Sequence, residues 1–247
     1  AEAATEAGAD LVLVDTTGLV EGAPARRLKW AKLRLLRPRV VVALQRSGEL
    51  EPILRLAGES PRSEVLRLPV PAVIRPKPAS FRAQRRKAAY ARWFADAVLR
   101  TYLFERVSLL GPWLGTGTPL APHLLRFLSR ALGVRAYYAE MDGRRLGIVT
   151  DGMPTAERSL EMIHAQFRPR SITITPASRF HHLLVCLADR EGRILDVGTV
   201  ETLDFRRREI GVLTPTRAHA AVRHIEFGAV RVRPDGVELG ILRPGDI

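Results

Sequence analysis

The chain has one cysteine in 247 residues, four lysines among its 39 basic residues, and no apolar run long enough to cross a membrane. The lone Cys186 excludes an internal disulfide, and within Leu183-Leu184-Val185-Cys186-Leu187 it reads as a buried core residue. There is no Cys/His spacing of the zinc type, no stretch near the roughly 18 apolar residues of a membrane helix and no signal peptide. A soluble, cytoplasmic protein with no membrane partner is therefore expected. Acids are scarce as well: 26 stand against 39 basic residues, for a net charge of +13. That field attracts polyanions such as nucleic acid or nucleotide phosphates, although the preference for arginine over lysine is also what a GC-rich genome produces. An initiator methionine is missing too. The opening Ala1 to Gly8 reads as the end of a helix closed by a glycine, so a truncated amino terminus is expected.

Hydrophobic residues make up 46% and charged residues 26%, which excludes extended disorder and supports one large or two modest domains. Leu11-Val12-Leu13-Val14 is a short apolar run of the kind found in parallel strands buried on both faces. A stretch rich in Arg, Lys and Leu follows, then a second run, Val40-Val41-Val42-Ala43-Leu44. Strand, helix, strand at this spacing predicts a βαβ unit, with any ligand crevice at the carboxyl ends of the strands. Four prolines between Pro69 and Pro78 suggest an extended crossing segment. Ser80 then reads as the cap of a helix to about Arg100, with Phe81, Tyr90, Trp93, Phe94, Ala97 and Val98 on an apolar face. After about residue 107 the pattern changes to short runs separated by Asp142-Gly143, Asp151-Gly152, Glu191-Gly192 and Asp235-Gly236. Strands are expected at 134–140, 147–150, 171–175, 182–187 and 229–232, and helices near 119–132 and 155–166. The expected fold class is thus α/β in residues 1–107, followed by a mixed α+β domain over 108–247 rich in antiparallel strands.

The segment Asp15-Thr16-Thr17-Gly18 ends the first run with a carboxylate, two hydroxyls and a glycine. Phosphoryl transfer uses these groups: a carboxylate orients Mg²⁺ or its waters, hydroxyls hold phosphate oxygens, and glycine lets backbone N–H groups approach an anion. A capped turn would use the same letters. Gln45 and Arg46 end the second run with polar groups suited to a base, whereas Glu49 and Glu51 read as first-turn acids of a helix. Between Arg75 and Arg106 nine basic residues face two acids, which concentrates more than half of the net charge in about an eighth of the chain. Arg82 and Arg86 lie four apart, on one helical face, where they could clamp a phosphate; a solvated charged face is the plainer alternative. His181-His182 has no acidic residue at ligand spacing and reads as structural, and no metal ligands are assigned. Thr173, Thr175 and Arg179 suit either nucleic-acid contact or an exposed edge strand.

In order and spacing, several stretches resemble the polynucleotide 5'-hydroxyl kinases, the family of the RNA kinase subunit of the pre-mRNA cleavage factor and of the nucleolar rRNA-processing kinase. They are Asp15 to Gly22, Leu28-Lys29, Arg37 to Gln45, Phe81 to Arg86 and Tyr90 to Phe94. Further on, Gly192 to Gly198, Leu213 to Thr216 and Asp235 to Gly240 are similar to the carboxy-terminal domain of prokaryotic members. The resemblance implies the carboxy-terminal half of a P-loop NTPase sheet plus a second domain that assists nucleic-acid binding. It implies ATP and Mg²⁺ as cofactors and RNA or DNA 5'-OH ends as partners, with transfer of the γ-phosphate of ATP. Thr16, Thr17 and Gly18 would be the clasp on the nucleic-acid end, Arg82 and Arg86 the catalytic arginines of the lid, and Asp15 and Gln45 nucleotide-binding residues.

Two departures matter. Family clasps often carry Trp after the glycine, but Leu19 stands here, so base stacking is not expected at that position. No Gly-x-x-x-x-Gly-Lys-Ser/Thr occurs, so the phosphate-binding loop is expected upstream of Ala1 and this chain alone is expected to be inactive. Two rivals stay open: a noncatalytic nucleic-acid-binding or assembly protein on the same scaffold, and another P-loop GTPase or metabolic kinase.

Overall fold

The computed structural model of the chain describes residues 2–58, 63–75, 78–111, 113–154 and 159–243. It separates into two units, Ala1–Lys77 and Pro78–Ile247.

The first unit opens with α1 (Glu2–Glu6), closed by Gly8 at φ 78, whose N–H bonds the Thr5 carbonyl. The glycine end cap was legible from sequence. After an extended segment comes α2 (Gly22–Leu36), which Arg37 terminates in the left-handed region with its N–H on the Leu33 carbonyl. Pro38 cannot continue the helix. Then β1 (Val40–Gln45), α3 (Glu51–Gly58) and β2 (Glu64–Pro69) form a parallel βαβ unit, in register from Val40 opposite Glu64 to Gln45 opposite Pro69. A βαβ unit is therefore present, but one step later than the sequence suggested. Residues 11–14 are extended and join no sheet among the described residues, with Leu11 74% and Leu13 85% exposed. The run has the composition of a doubly buried strand, yet no described strand lies beside it to receive its backbone hydrogen bonds.

The second unit begins with α4 (Ala79–Trp93) and continues through β3 (Val98–Leu103), β4 (Ser108–Leu110), β5 (Thr118–Pro119), α5 (Pro122–Leu132), β6 (Ala136–Asp142) and β7 (Arg145–Thr150). It ends with α6 (Ser159–Phe167), β8 (Ser171–Pro176), β9 (Leu183–Ala188), β10 (Ile194–Asp204), β11 (Glu209–Thr214), β12 (His224–Val232) and β13 (Glu238–Ile241). A seven-stranded sheet runs β13-β12-β9-β10-β11-β3, with β4 parallel to β12, and a four-stranded sheet runs β5-β6-β7-β8. Phe180, Leu183, Val185, Leu187, Ile210 and Val212 fill the core of the larger sheet, to which Val149 of β7 also belongs. On the smaller sheet, Leu128 and Leu132 of α5 and Ile163 of α6 pack on Leu146 and Ile148. Strand β7 is buried from Leu146 to Thr150, and Gly147 lies against the Trp113 ring, where an added Cβ would come within 2.2 Å.

Three of the four turn dipeptides join antiparallel neighbours, namely β6–β7, β9–β10 and β12–β13, whereas Asp151-Gly152 leads toward α6 and the parallel partner β8. Of the helix expected over 155–166, residues 155–158 lie outside the described residues. Three local readings need correction. Pro78, not Ser80, occupies the α4 N-cap position, and the helix stops at Trp93 because β3 begins at Val98. The face expected to pack is exposed at Phe81 and Trp93, and only Phe94, just past the helix, is buried. Cys186 is half-buried, because alternation along β9 turns Leu183, Val185 and Leu187 into the core and Cys186 to the other face. The sequence pattern changes near 107, yet the second unit starts at Pro78, since β3 pairs antiparallel with β11 from Val98 opposite Thr214 to Leu103 opposite Glu209.

Candidate functional site

In the first unit the segment 15–18 is held by a residue of α2. Lys29 is buried, and its Nζ donates to Thr16 Oγ1 at 2.7 Å and to the Thr17 carbonyl. Burial lowers the Lys29 pKa, the neighbouring Lys32 adds to the effect, and Asp15 opposes it. Thr16 accepts from an ammonium, so the proton of its own hydroxyl is the group it can offer to an oxygen ligand. Asp15, Thr16, Thr17 and Gly18 are all exposed. A cation beneath two exposed threonines and a glycine suits an anion or a sugar hydroxyl. The family resemblance includes Lys29 only within the stretch Leu28-Lys29. Its buried position below the threonines was not legible, because 12 and 13 residues separate it from its partners.

Gln45 sits at the carboxyl end of β1. Its amide Nε2 donates to Glu51 Oε1 at 2.9 Å, and its Oε1 accepts from the Leu50 N–H at 3.3 Å. Glu51 also receives both Nε and Nη2 of Arg67 from β2, at 2.9 and 3.1 Å, and these bonds hold its pKa down to about 2. Gln45, Glu51 and Arg67 thereby tie the two strands to the first turn of α3. Glu49 accepts from the backbone N–H groups of Ser47 and Arg46, which lower its carboxyl to about 2. The structural reading of both acids suits this geometry.

In the second unit α4 carries Arg82 and Arg86 one turn apart, and no residue of the helix is buried. Four residues apart, the two positions lie on one side of the helix. Arg86 is engaged. Its Nε donates to Glu238 Oε1 at 2.6 Å and its Nη2 to Glu238 Oε2 at 2.9 Å, a fork-on-carboxylate pair between α4 and β13. The pair holds the Glu238 carboxyl below its ordinary pKa. Beside it, Gly236 in the β12–β13 turn has φ +83, and an added Cβ would stand 2.0 Å from the Lys87 carbonyl oxygen. The hairpin backbone thus lies directly against α4, and only glycine permits that approach. Of the nine basic residues counted in this region, Lys77 lies outside the described residues.

Thr173, Thr175 and Arg179 fall on and just after β8, an edge strand of the smaller sheet. Thr175 is fully buried, which removes it as a surface contact. The histidine pair does have an acidic partner, contrary to the sequence reading: Glu201 of β10 approaches His182 Nδ1 at 3.2 Å and His181 Nε2 at 3.6 Å. No local spacing could reveal a partner some twenty residues away that the antiparallel pairing of β9 and β10 brings near. Thr16, Thr17, Gly18 and Gln45 belong to the first unit, and Arg82 and Arg86 to the second.

Residues 1–96 match the family described as mRNA cleavage and polyadenylation factor CLP1 P-loop. The chain is 30% identical over 234 residues to a polyribonucleotide 5'-hydroxyl-kinase of Pyrococcus furiosus, covering 95% of this chain and 63% of that protein. It is 29% identical over 239 residues to one of Thermococcus kodakarensis (97% and 64%) and 28% identical over 233 residues to one of Pyrococcus horikoshii (94% and 61%). The chain thus spans a little under two thirds of the length of these relatives. A solved complex of Clp1p with Pcf11p superposes with a TM-score of 0.40 at 10% identity, over 85% of this chain and 43% of that one. No helix among the described residues is long and apolar enough to cross a membrane.

Proposed function

We propose that this chain is part of a polynucleotide 5'-hydroxyl kinase, which transfers the γ-phosphate of ATP to the 5'-OH end of a polynucleotide, with RNA the favoured substrate. The observation that carries this reading is the similarity over 95% of the chain to a protein named for that activity. The local chemistry supports it. Thr16 and Thr17 over Lys29 offer a donor set for the sugar–phosphate end of the acceptor, with Gly18 leaving the backbone accessible. In this reading Asp15 is the carboxylate that helps orient a hydrated Mg²⁺, and Gln45 lies toward the nucleotide. Arg82 and Arg86 supply cationic hydrogen-bond donors to the phosphate being transferred, where such arginines contribute about 10³ to 10⁵ in rate. Phosphoryl transfer asks mostly for positioning and charge neutralisation, so a chain this rich in exposed arginine suits it. In this reading the cradle for the ATP β- and γ-phosphates belongs to the part of the relatives' length that this chain does not span. The domain over 108–247 is assigned to holding the nucleic acid beyond its end.

The test is transfer of labelled γ-phosphate from ATP to matched 5'-OH RNA and DNA oligonucleotides by the protein with its preceding segment. Transfer to RNA above DNA is expected. Salt-sensitive RNA binding with no transfer would replace this reading with a noncatalytic binding protein. A GTP-dependent activity indifferent to oligonucleotides would replace it with a different P-loop enzyme.

A further inference from the structure

Two consecutive histidines lead into β9, and the backbone holds them in an unusual posture. His182 has φ 62, a left-handed conformation that residues with a Cβ rarely adopt. It is fixed on both sides: its N–H donates to the Val200 carbonyl at 2.7 Å, and its carbonyl accepts from the Val232 N–H at 2.7 Å. One residue earlier, the His181 carbonyl accepts from Arg231 Nε at 3.0 Å. Successive residues of an extended strand point to opposite faces, but this kink brings both rings to the same side, with centroids 3.8 Å apart. Glu201 of β10 faces them with one oxygen toward each ring, Oε1 at 3.2 Å from His182 Nδ1 and Oε2 at 3.6 Å from His181 Nε2. Thr199 donates its hydroxyl to Glu201 Oε1 at 2.9 Å, which orients the carboxylate.

We infer that His181, His182 and Glu201 form a site for one divalent transition-metal ion of the zinc type, with the remaining coordination position open to water. A tetrahedral zinc ion with nitrogen and oxygen ligands at about 2.0–2.2 Å requires those ligand atoms to lie about 3.3 Å from one another. The two measured separations bracket that value, and all three candidate ligand atoms fall within 4.8 Å of each other. A single histidine–carboxylate hydrogen bond would need neither the second ring nor the left-handed backbone.

The donor set selects the metal. Imidazole nitrogens suit zinc, nickel and copper, whereas Mg²⁺ and Ca²⁺ take oxygen ligands, so this is not a second site for the nucleotide-associated magnesium. Burial and the adjacent His182 lower the His181 pKa, and Glu201 opposes them. Arg231, which also lowers it, adds a nearby positive charge that weakens binding without removing a ligand. The outer hydrogen bond from Thr199 is the kind of contact that fixes metal-binding side chains. A bound ion would cross-link the start of β9 to β10 within the second unit.

The test uses the whole 247-residue chain, freed of metal and titrated with Zn²⁺ against a chromophoric chelator. One Zn²⁺ per chain is expected, with binding weakened at least tenfold in both His181→Ala and Glu201→Gln. His181 is half exposed, so its truncation leaves the core intact, and circular dichroism and melting without metal check that both variants fold. His123→Ala, on a helix away from these strands, is expected to bind as the wild type does. Co²⁺ in place of Zn²⁺ should give the visible absorption of a four-coordinate ion in the wild type and lose it in both variants. No stoichiometric binding, or binding unchanged in either variant, overturns the inference. The kinase reading is untouched by either result.

Discussion

Two six-residue apolar strands, β1 and β9, have almost interchangeable compositions and opposite surroundings. In β9, Leu183, Val185 and Leu187 are at most 2% exposed, because β10 and β12 flank the strand and the core lies beneath it. In β1, Val40, Val42 and Leu44 are 46%, 55% and 61% exposed, and among the described residues β2 is the one strand beside it. The same contrast separates Leu13, almost wholly exposed, from Ile148, wholly buried. Each large aliphatic side chain left in water forgoes about 1.5–3 kcal/mol of burial. An apolar run thus declares which environment a strand requires, and only the topology around it decides whether that environment is present.

The contrast can be broken most sharply at its extremes. Phe180→Ala, in the core of the larger sheet, is expected to destabilise the second unit by about 3–5 kcal/mol in urea unfolding, whereas Leu13→Ala changes stability by less than about 0.5 kcal/mol. Comparable losses at the two positions would show that Leu13 is packed rather than exposed. Next in size, Gly236→Ala combines a positive φ with a collision against the Lys87 carbonyl, and about 1–3 kcal/mol is expected, seen as faster amide exchange along α4. Unchanged exchange there would mean that α4 is not seated on the hairpin.

Smaller again, Lys29→Met removes the donor to Thr16 and Thr17, and amide exchange over 15–18 should rise by an amount equivalent to about 1 kcal/mol. The smallest effect is that of pH on the tie between β1, β2 and α3. The Glu51 carboxyl is held at about 2 in the folded chain, below its ordinary 4.5, so its contribution is complete above the unfolded value and is lost as pH falls from 4.5 toward 2. A carboxyl NMR titration should place its midpoint near 2, and Arg67→Ala should move that midpoint upward. A midpoint near 4.5 in the wild type would dissolve the tie.

Much of this organisation was legible in the sequence, and the failures share a cause. The Gly8 stop, α2, β1, α5 and the three glycine hairpins follow from local chemistry and were readable from it. The strand at 11–14, the packed face of α4 and the burial of Cys186 depended on neighbours that local periodicity does not specify. At the candidate site, the residues could be named, but the partners of three of them could not. Lys29 under Thr16, Glu238 on Arg86 and Glu201 beside His182 are separated in sequence by 13, 152 and 19 residues. Strands β10, β11 and β13 are also hard to read from sequence, because their apolar residues are interrupted by glycine, threonine and acids that the sheet nonetheless accommodates.

The exposed Arg86–Glu238 pair should contribute little to stability, which separates its role in folding from any role in catalysis. The most direct measurement is therefore the rate of γ-phosphate transfer to a 5'-OH RNA by the protein with its preceding segment, comparing wild type, Arg82→Ala and Arg86→Ala, with melting recorded alongside. The account predicts a loss of about 10³-fold or more in each variant with melting temperatures unchanged. Transfer at the wild-type rate in both variants would contradict it.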